Sequence, residues 1–127
     1  MAAPTPVLTT LVDSYDDIMV KCIIPTGGDA DISASTLIDI STFTTGRTVT
    51  SCKIKKIHSS LVGFSIKILE DADTDVHLLS IAEYINESDL GYPIPMTGAT
   101  GSTGDIKFTT VGIGTADHGH FIIHCIK

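Results

Sequence analysis

The chain has 127 residues, of which 43% are hydrophobic, and its formal net charge at pH 7 is −7. This length and composition predict one globular domain and exclude an intrinsically disordered chain. Eight basic residues against 15 acidic ones would repel a nucleic acid backbone on average, and no apolar run approaches the roughly 18 residues that span a bilayer. We therefore expect neither nucleic acid nor a membrane among the partners.

Residues 1–14 are rich in proline and threonine and show little hydrophobic periodicity. This composition predicts an extended N-terminal arm, followed by a single β-sandwich domain over residues 15–127. The opening, MAAPTPVLTTLV, has no basic segment followed by an apolar core, so it differs from a secretory signal. We expect the product to stay in the cytoplasm where it is made or to leave by lysis.

Alternating apolar and polar residues predict short strands along the rest of the chain. The segment DDIMVKCII places four residues on one face: Ile18, Val20, Cys22 and Ile24. A second short strand is expected in STLIDIS, over residues 37–40. In VTSCKIKKI, Ile54 and Ile57 have opposite parity, so both can face inward only if a bulge or a strong twist intervenes. We expect a break in the strand near Lys55.

The next two predicted strands, VGFSIKIL and DVHLLSIAEYI, are separated by the acidic segment EDADTD. Its alternating carboxylates resemble the first half of an EF-hand calcium loop, which requires glycine at position six and a bidentate acid at position twelve. Counted from Asp71, those positions hold Val76 and Ala82, and Glu83 comes one residue late. The segment therefore predicts a polar connection between two strands.

After these strands, NESDLGYPIPMTGATGSTGD predicts the longest irregular loop, because its prolines and glycines do not suit a sheet ladder. The segments IKFTTVGIG and GHFIIHCIK complete the predicted strands. About eight short strands without a helix of ten residues or more predict an all-β fold. We expect a two-sheet antiparallel sandwich of the jelly-roll-like type.

The segment HGHFIIH also resembles a metal site, since His118, His120 and His124 share parity. However, His124 lies about 13 Å along the strand from His120, at roughly 3.3 Å per residue, so the three cannot ligate one ion. A zinc site of His118 and His120 with a distant acid is an open alternative. Cys22, Cys52 and Cys125 lack the close spacing of zinc or redox motifs and are predicted to be buried thiols. We expect no catalytic, metal or cofactor-binding residues, and therefore not an enzyme.

Three segments together resemble the small virion proteins that decorate the capsids of tailed bacteriophages: STLIDIS, SCKIKKIHSSLVGFSIKILEDADTDVHLL and GDIKFTTVGIGTADHGHFIIHCIK. The matching features are an acidic turn of the form D-A-x-T-D-V at 71–76, then a glycine-rich loop, G-D-I-x-F-T-T and a closing strand that ends in a basic residue. The resemblance implies a head decoration, or cement, protein on the virion surface. Its partners would be the major capsid protein and itself, as a homo-oligomer such as a trimer.

Two segments could supply contacts to such partners. The arm offers apolar anchors, namely Val7, Leu8, Leu11 and Val12. The long loop and its start offer residue types that are enriched at interfaces, namely Tyr84, Tyr92, Pro93, Ile94, Pro95 and Met96. Core packing is an open alternative for Tyr84 and Ile94, and a frayed terminus is an open alternative for the arm. The alternative function is a non-enzymatic β-sandwich module of a phage tail or host protein that binds carbohydrate or a receptor.

Overall fold

The structure is a computed structural model that describes residues 2–127, apart from the side chains of residues 86–92. It contains nine strands, whose bounds are β1 Val7–Asp13, β2 Asp17–Ile24, β3 Ser35–Ile38, β4 Lys53–Val62, β5 Ser65–Glu70, β6 Val76–Ile81, β7 Tyr84–Ile94, β8 Ile106–Val111 and β9 His118–Ile126. A 3-10 helix, Ile40–Thr42, follows β3. The described part of the chain has no helix long and apolar enough to cross a membrane.

The strands form two antiparallel sheets. The five-stranded sheet has the order β1-β2-β9-β4-β7, and the four-stranded sheet has the order β3-β8-β5-β6. Apart from β1, every connection except the β5–β6 hairpin crosses from one sheet to the other, which is the path of a jelly roll. The prediction of an all-β, two-sheet antiparallel sandwich is therefore confirmed.

The core lies between the sheets, where the apolar face of each strand points inward. The predicted inward face of β2 is confirmed, because Ile18, Val20, Cys22 and Ile24 are all buried. At the centre, Phe108 of β8 meets Phe121 of β9 edge to face, with ring centroids 5.6 Å apart. All three cysteines are buried free thiols, as the sequence predicted, and burial raises the pKa of Cys22 to about 12.

The predicted irregularity in β4 is also confirmed. The register of β4 against both β7 and β9 shifts between Ile54 and Lys56, so Lys55 is the extra residue of a bulge. The bulge reverses the parity of the strand, and Ile54 and Ile57 are consequently both buried.

Two segments are strands of the sandwich where the sequence predicted an extended arm and an irregular loop. Residues 7–13, assigned to an arm outside the sandwich, pair with β2 over their length as β1. The first half of the predicted long loop is β7, which pairs with β4. Both are edge strands, so each needs ladder hydrogen bonds on one side only, and Pro93 is tolerated near the end of β7.

The core contains one buried hydroxyl without a hydrogen-bond partner among the described residues, that of Ser59 on β4. Such a group costs about 1 kcal/mol or more, so Ser59→Ala is expected to raise the free energy of unfolding by about 1 kcal/mol. Urea unfolding measures the change. The control is Ser60→Ala on the opposite face, for which a change within about 0.5 kcal/mol is expected. A destabilised Ser59→Ala variant would contradict the prediction.

Candidate interaction surfaces

The outer face of the five-stranded sheet, turned away from the core, carries a row of side chains that runs from edge to edge. The row consists of successive register partners on β1, β2, β9, β4 and β7, namely Val7, Ile23, His120, Ser60 and Ile85. Neighbouring strands are about 4.8 Å apart, so the row spans about 19 Å. The face therefore offers a continuous surface wide enough to contact another protein.

Apolar side chains lie at both ends of this row. We call them the outer apolar patch: Val7, Ile23, Val62 and Ile85. Their exposed fractions are 51%, 38%, 47% and 75%, in that order. Val7 on β1 and Ile23 on β2 are register partners, and both face outward. Val62 comes two residues after Ser60 on β4 and therefore faces the same side. Such clustering of exposed apolar residues is typical of interaction sites.

A depression of about 550 Å³ lies between the two ends of the patch. Its lining combines apolar, basic and hydroxyl side chains: Lys21, Ile23, Ile24, Pro25, Thr26, Ser60, Val62, His118 and His120, with Gly119. Ile23 and Val62, which come from the two ends of the patch, both border this depression. The centre of the outer face is therefore recessed between them.

The histidines on this face are not grouped as the HGHFIIH motif suggested. His120 lies beside His58 of the neighbouring strand, with ring centroids 6.1 Å apart. The Nε2 atom of His124 lies 2.8 Å from a carboxylate oxygen of Asp17. His118 lies 3.3 Å from the carbonyl oxygen of Ala116. Among the described side chains, no three His, Cys, Asp or Glu residues are placed to hold a metal ion. Cross-strand register, which the motif does not contain, sets these neighbours.

The loop that follows β7 is held by a buried carboxylate at the end of β5. Glu70 has an exposed fraction of 0%, and it accepts hydrogen bonds from the backbone amides of Thr97 and Gly98 and from the hydroxyls of Thr97 and Ser102. Burial alone raises the pKa of Glu70, but these four hydrogen bonds outweigh burial, and the pKa lies below its ordinary value. The glycine-rich loop is thus fixed to the sandwich by an ionised group. Sequence reasoning missed this role.

Three aspartates stabilise other connections in the same way. Asp71 forms an ion pair with Lys107 at 2.8 Å, and the hydrogen bond from Lys107 is the main reason its pKa is lowered. Asp31 accepts hydrogen bonds from Thr110 and the amides of residues 112 and 113, which overcome the effect of burial and lower its pKa. Asp13 pairs with Lys127, and its pKa is lowered despite burial.

These lowered pKa values predict the acid sensitivity of the fold. A carboxyl whose pKa is lower in the folded state stabilises that state above its unfolded pKa, and the contribution is lost as the pH falls through the folded value. We expect the unfolding temperature to be nearly constant from pH 7 to about pH 5 and to fall below about pH 4. Thermal unfolding followed by circular dichroism measures this. An unfolding temperature that rises on acidification to that range would contradict it.

The predicted contact residues of the arm lie on β1. Val7, Leu8 and Leu11 are exposed, with exposed fractions of 51%, 44% and 46%. Val12 is half-buried and pairs with Met19 after an irregularity at Leu11. Three of the four residues are therefore accessible to a partner along the edge of the sheet.

The predicted contact residues of the loop divide into two groups. Tyr84 is 73% exposed and adopts φ 72°, a left-handed conformation that non-glycine residues rarely adopt, while Pro95 is also exposed. Pro93 is half-buried, and Ile94 and Met96 pack against the core. The side chain of Tyr92 lies outside the described residues. The predicted contacts did not include Ile23, Val62 or Ile85. These residues alternate with the inward-facing positions of their strands, and this alternation is the signal that identifies them as outward-facing.

Comparisons with known proteins give one structural likeness. No protein-family model matches the chain, and a search of the curated proteins finds no match. Among solved structures, the chain is similar to an RmlC-like cupin family protein with a double-stranded β-helix fold from Methanocaldococcus jannaschii. The likeness covers 95% of this chain and 80% of that chain, at 13% sequence identity and a TM-score of 0.32. At that level it carries no inference about activity or ligand.

Proposed function

We propose that this chain is a structural virion protein of a tailed phage, which decorates the capsid by binding the lattice of the major capsid protein. The observation that carries the proposal is the outer apolar patch, presented by a rigid sheet on an otherwise acidic domain. The sequence resemblance supplies the identity of the partner. The proposed location is the outer surface of the capsid, and the proposed assembly is a homo-oligomer.

The energetics of a lattice favour a protein of this kind. A stable protein interface buries about 800 Å² on each partner, and the outer face, about 19 Å wide, offers part of such an area. Each copy of an oligomer on a capsid can bind a neighbouring lattice site. Avidity then raises the overall affinity far above that of one contact.

The fixed connections suit a scaffold whose role is to hold contacts in place. The loop after β7 is anchored through Glu70, and the β5–β6 turn is anchored through Asp71 and Lys107. Tyr84, at the start of β7, projects beside Ile85 from the same sheet edge. An interface made of such pre-ordered groups loses little conformational entropy when it forms.

Purified virions of the encoding phage provide the direct test. We expect cryo-electron microscopy to show density for the protein on the capsid surface and none on the tail. We also expect added protein to bind expanded capsids that lack it and to raise their melting temperature. Absence from the virion, or density on the tail alone, would overturn the proposal; binding without thermal stabilisation would overturn the cementing role.

A matched pair of variants tests the role of the outer apolar patch. Val62→Lys places a charge in the patch, whereas Val111→Lys makes the same change at a similarly exposed position of the four-stranded sheet, where the exposed fraction is 40% against 47%. We expect Val62→Lys to weaken capsid binding about tenfold or more and Val111→Lys to change it less than about threefold. Equal losses for the two variants would exclude the patch as the contact.

The second candidate function is a carbohydrate-binding module of a tail or host protein. The observation in its favour is the exposure of two aromatic rings, Tyr15 and Tyr84, since sugars stack on such rings. The ring of Tyr15 is already covered by the guanidinium of Arg47, 4.9 Å from its centroid. A glycan array tests this candidate, which predicts a bound glycan that Tyr84→Ala no longer binds.

A further inference from the structure

The open edge of β1 is the starting point for a second binding site. β1 pairs with β2 along one side only, and no other described strand pairs with its second side. Backbone N–H and C=O groups along such an edge can pair with an extended chain. Natural edges are often protected by lysine or proline, but residues 7–12 have the sequence VLTTLV, with neither.

A groove lies beside this edge on the inner side of the sheet, where β1 and β2 face β3 and the 3-10 helix. Its volume is about 260 Å³, and its lining residues are Leu8, Thr10, Val20, Thr36, Leu37, Asp39, Thr42 and Phe43. Val20, Leu37 and Phe43 form a buried apolar floor, with exposed fractions of 2%, 3% and 5%. The groove therefore suits an apolar side chain that enters from the edge.

The charges around the groove indicate what else the ligand should carry. Asp39 is an exposed carboxylate in the lining whose Oδ1 accepts hydrogen bonds from the amide and the hydroxyl of Ser41, and the chain as a whole carries −7. Asp13, at the end of β1, is already paired with Lys127 at 3.0 Å. A lysine or arginine next to the apolar anchor would thus find a partner in Asp39.

We propose that β1 and this groove bind an extended segment of another protein by strand addition. The segment would form a ladder with the free edge of β1, insert an apolar side chain over Phe43, and place a basic residue near Asp39. Backbone hydrogen bonds give affinity in such complexes, and pockets for alternate side chains give specificity. This inference rests on the proposed function, because in the phage the segment would belong to the capsid protein.

A second copy of the chain fits the site less well than a basic partner. Residues 5–13, which include β1, contain no lysine or arginine, so a second β1 would bring no cation to Asp39. Two copies would also bring together two net charges of −7. The charges therefore favour a different protein as the occupant.

Binding of a synthetic peptide tests the site without capsids. The probe is a fluorescein-labelled peptide of alternating valine and threonine with a lysine at each end, and its binding to the full chain is followed by fluorescence polarisation. The first control peptide has proline at two consecutive central positions, so that one of the two lost amides belongs to the ladder in either register. The second has glutamate in place of each lysine, and we expect both controls to bind about tenfold more weakly or worse.

Two neighbouring variants separate the groove from the opposite face. Thr10→Trp fills the groove, whereas Thr9→Trp makes the same change on the outer side, opposite Lys21. Both residues are exposed, so both variants should fold, and matching circular dichroism spectra verify this. We expect Thr10→Trp to weaken peptide binding about tenfold or more and Thr9→Trp to change it less than about threefold.

The outcomes distinguish this inference from the proposed function. The inference would be overturned if the probe peptide did not bind, if the proline control bound as tightly as the probe, or if Thr10→Trp bound the probe as tightly as the wild type. Each of these results would leave capsid decoration intact. Peptide binding by a protein that fails to bind capsids would support the strand-addition site and overturn the proposed function. Concentration-dependent dimerisation in sedimentation experiments, abolished by Thr10→Trp and not by Thr9→Trp, would show that the occupant is a second copy and overturn the assignment to another protein.

Discussion

Glu70→Gln is expected to lower the free energy of unfolding by about 3 kcal/mol, because hydrogen bonds to a buried charged acceptor are among the strongest in proteins. Four donors converge on the carboxylate, from Thr97, Gly98 and Ser102. A glutamine offers one acceptor oxygen and turns its NH2 group towards donors, so some of these donors lose their partner. Thermal unfolding at pH 7 should show a fall of about 10 °C.

The control for this variant is Asp73→Asn, which also replaces a carboxylate by an amide, but at an exposed residue. We expect its free energy of unfolding to change by less than about 0.5 kcal/mol. Hydrogen exchange should also be faster in residues 97–104 of Glu70→Gln than in the wild type, because the loop has lost its anchor. Equal stability of the two variants would show that Glu70 does not hold this loop.

Lys127→Met is expected to cost about 3 kcal/mol, since it removes a buried ammonium that donates hydrogen bonds to the carboxylate of Asp13 and to two backbone carbonyl oxygens, each bond contributing about 1 kcal/mol. The side chain of Lys127 has an exposed fraction of 0%, and its ammonium donates to Asp13 at 3.0 Å and to the carbonyl oxygens of Thr45 and Arg47. Methionine keeps the aliphatic volume but supplies no donor. Urea unfolding measures the loss of stability.

Lys67→Met serves as the control, because Lys67 is an exposed residue on β5. We expect this variant to lie within about 0.5 kcal/mol of the wild type. The loss of the Lys127 contact should also loosen β1, since Asp13 ends that strand, and hydrogen exchange should be faster over residues 7–13. If Lys127→Met were as stable as Lys67→Met, the ion pair would contribute nothing to the attachment of β1.

The strands with clear alternation were predictable because one side of each is buried. In β2 and β9, apolar residues recur at every second position, and a strand of that kind has only one way to face the core. The bulge at Lys55 was predictable for the same reason, since Ile54 and Ile57 conflict in parity unless a residue is inserted. The fold class followed from these patterns.

The two edge strands were harder to recognise. β1 has the sequence VLTTLVD, with exposed residues on both sides, so burial imposes no strict alternation on it. β7 contains a glycine and a proline that are typical of loops. Strands that pair on one side tolerate such sequences, and their assignment depends on a partner strand that is distant along the chain. The sequence therefore placed the candidate contacts Val7, Leu8 and Leu11 on an arm, whereas they lie on an edge strand.

By itself, the sequence determined the all-β class, the inward faces of the regular strands and the buried cysteines, because these follow from local periodicity and side-chain polarity. The tertiary structure alone decided that Val7, Ile23 and Ile85 share one row, that Glu70 anchors a loop about 30 residues away, and that β1 borders a groove. Each of these depends on which strands become neighbours. Strand order arises from the packing of the whole chain, which no local pattern contains.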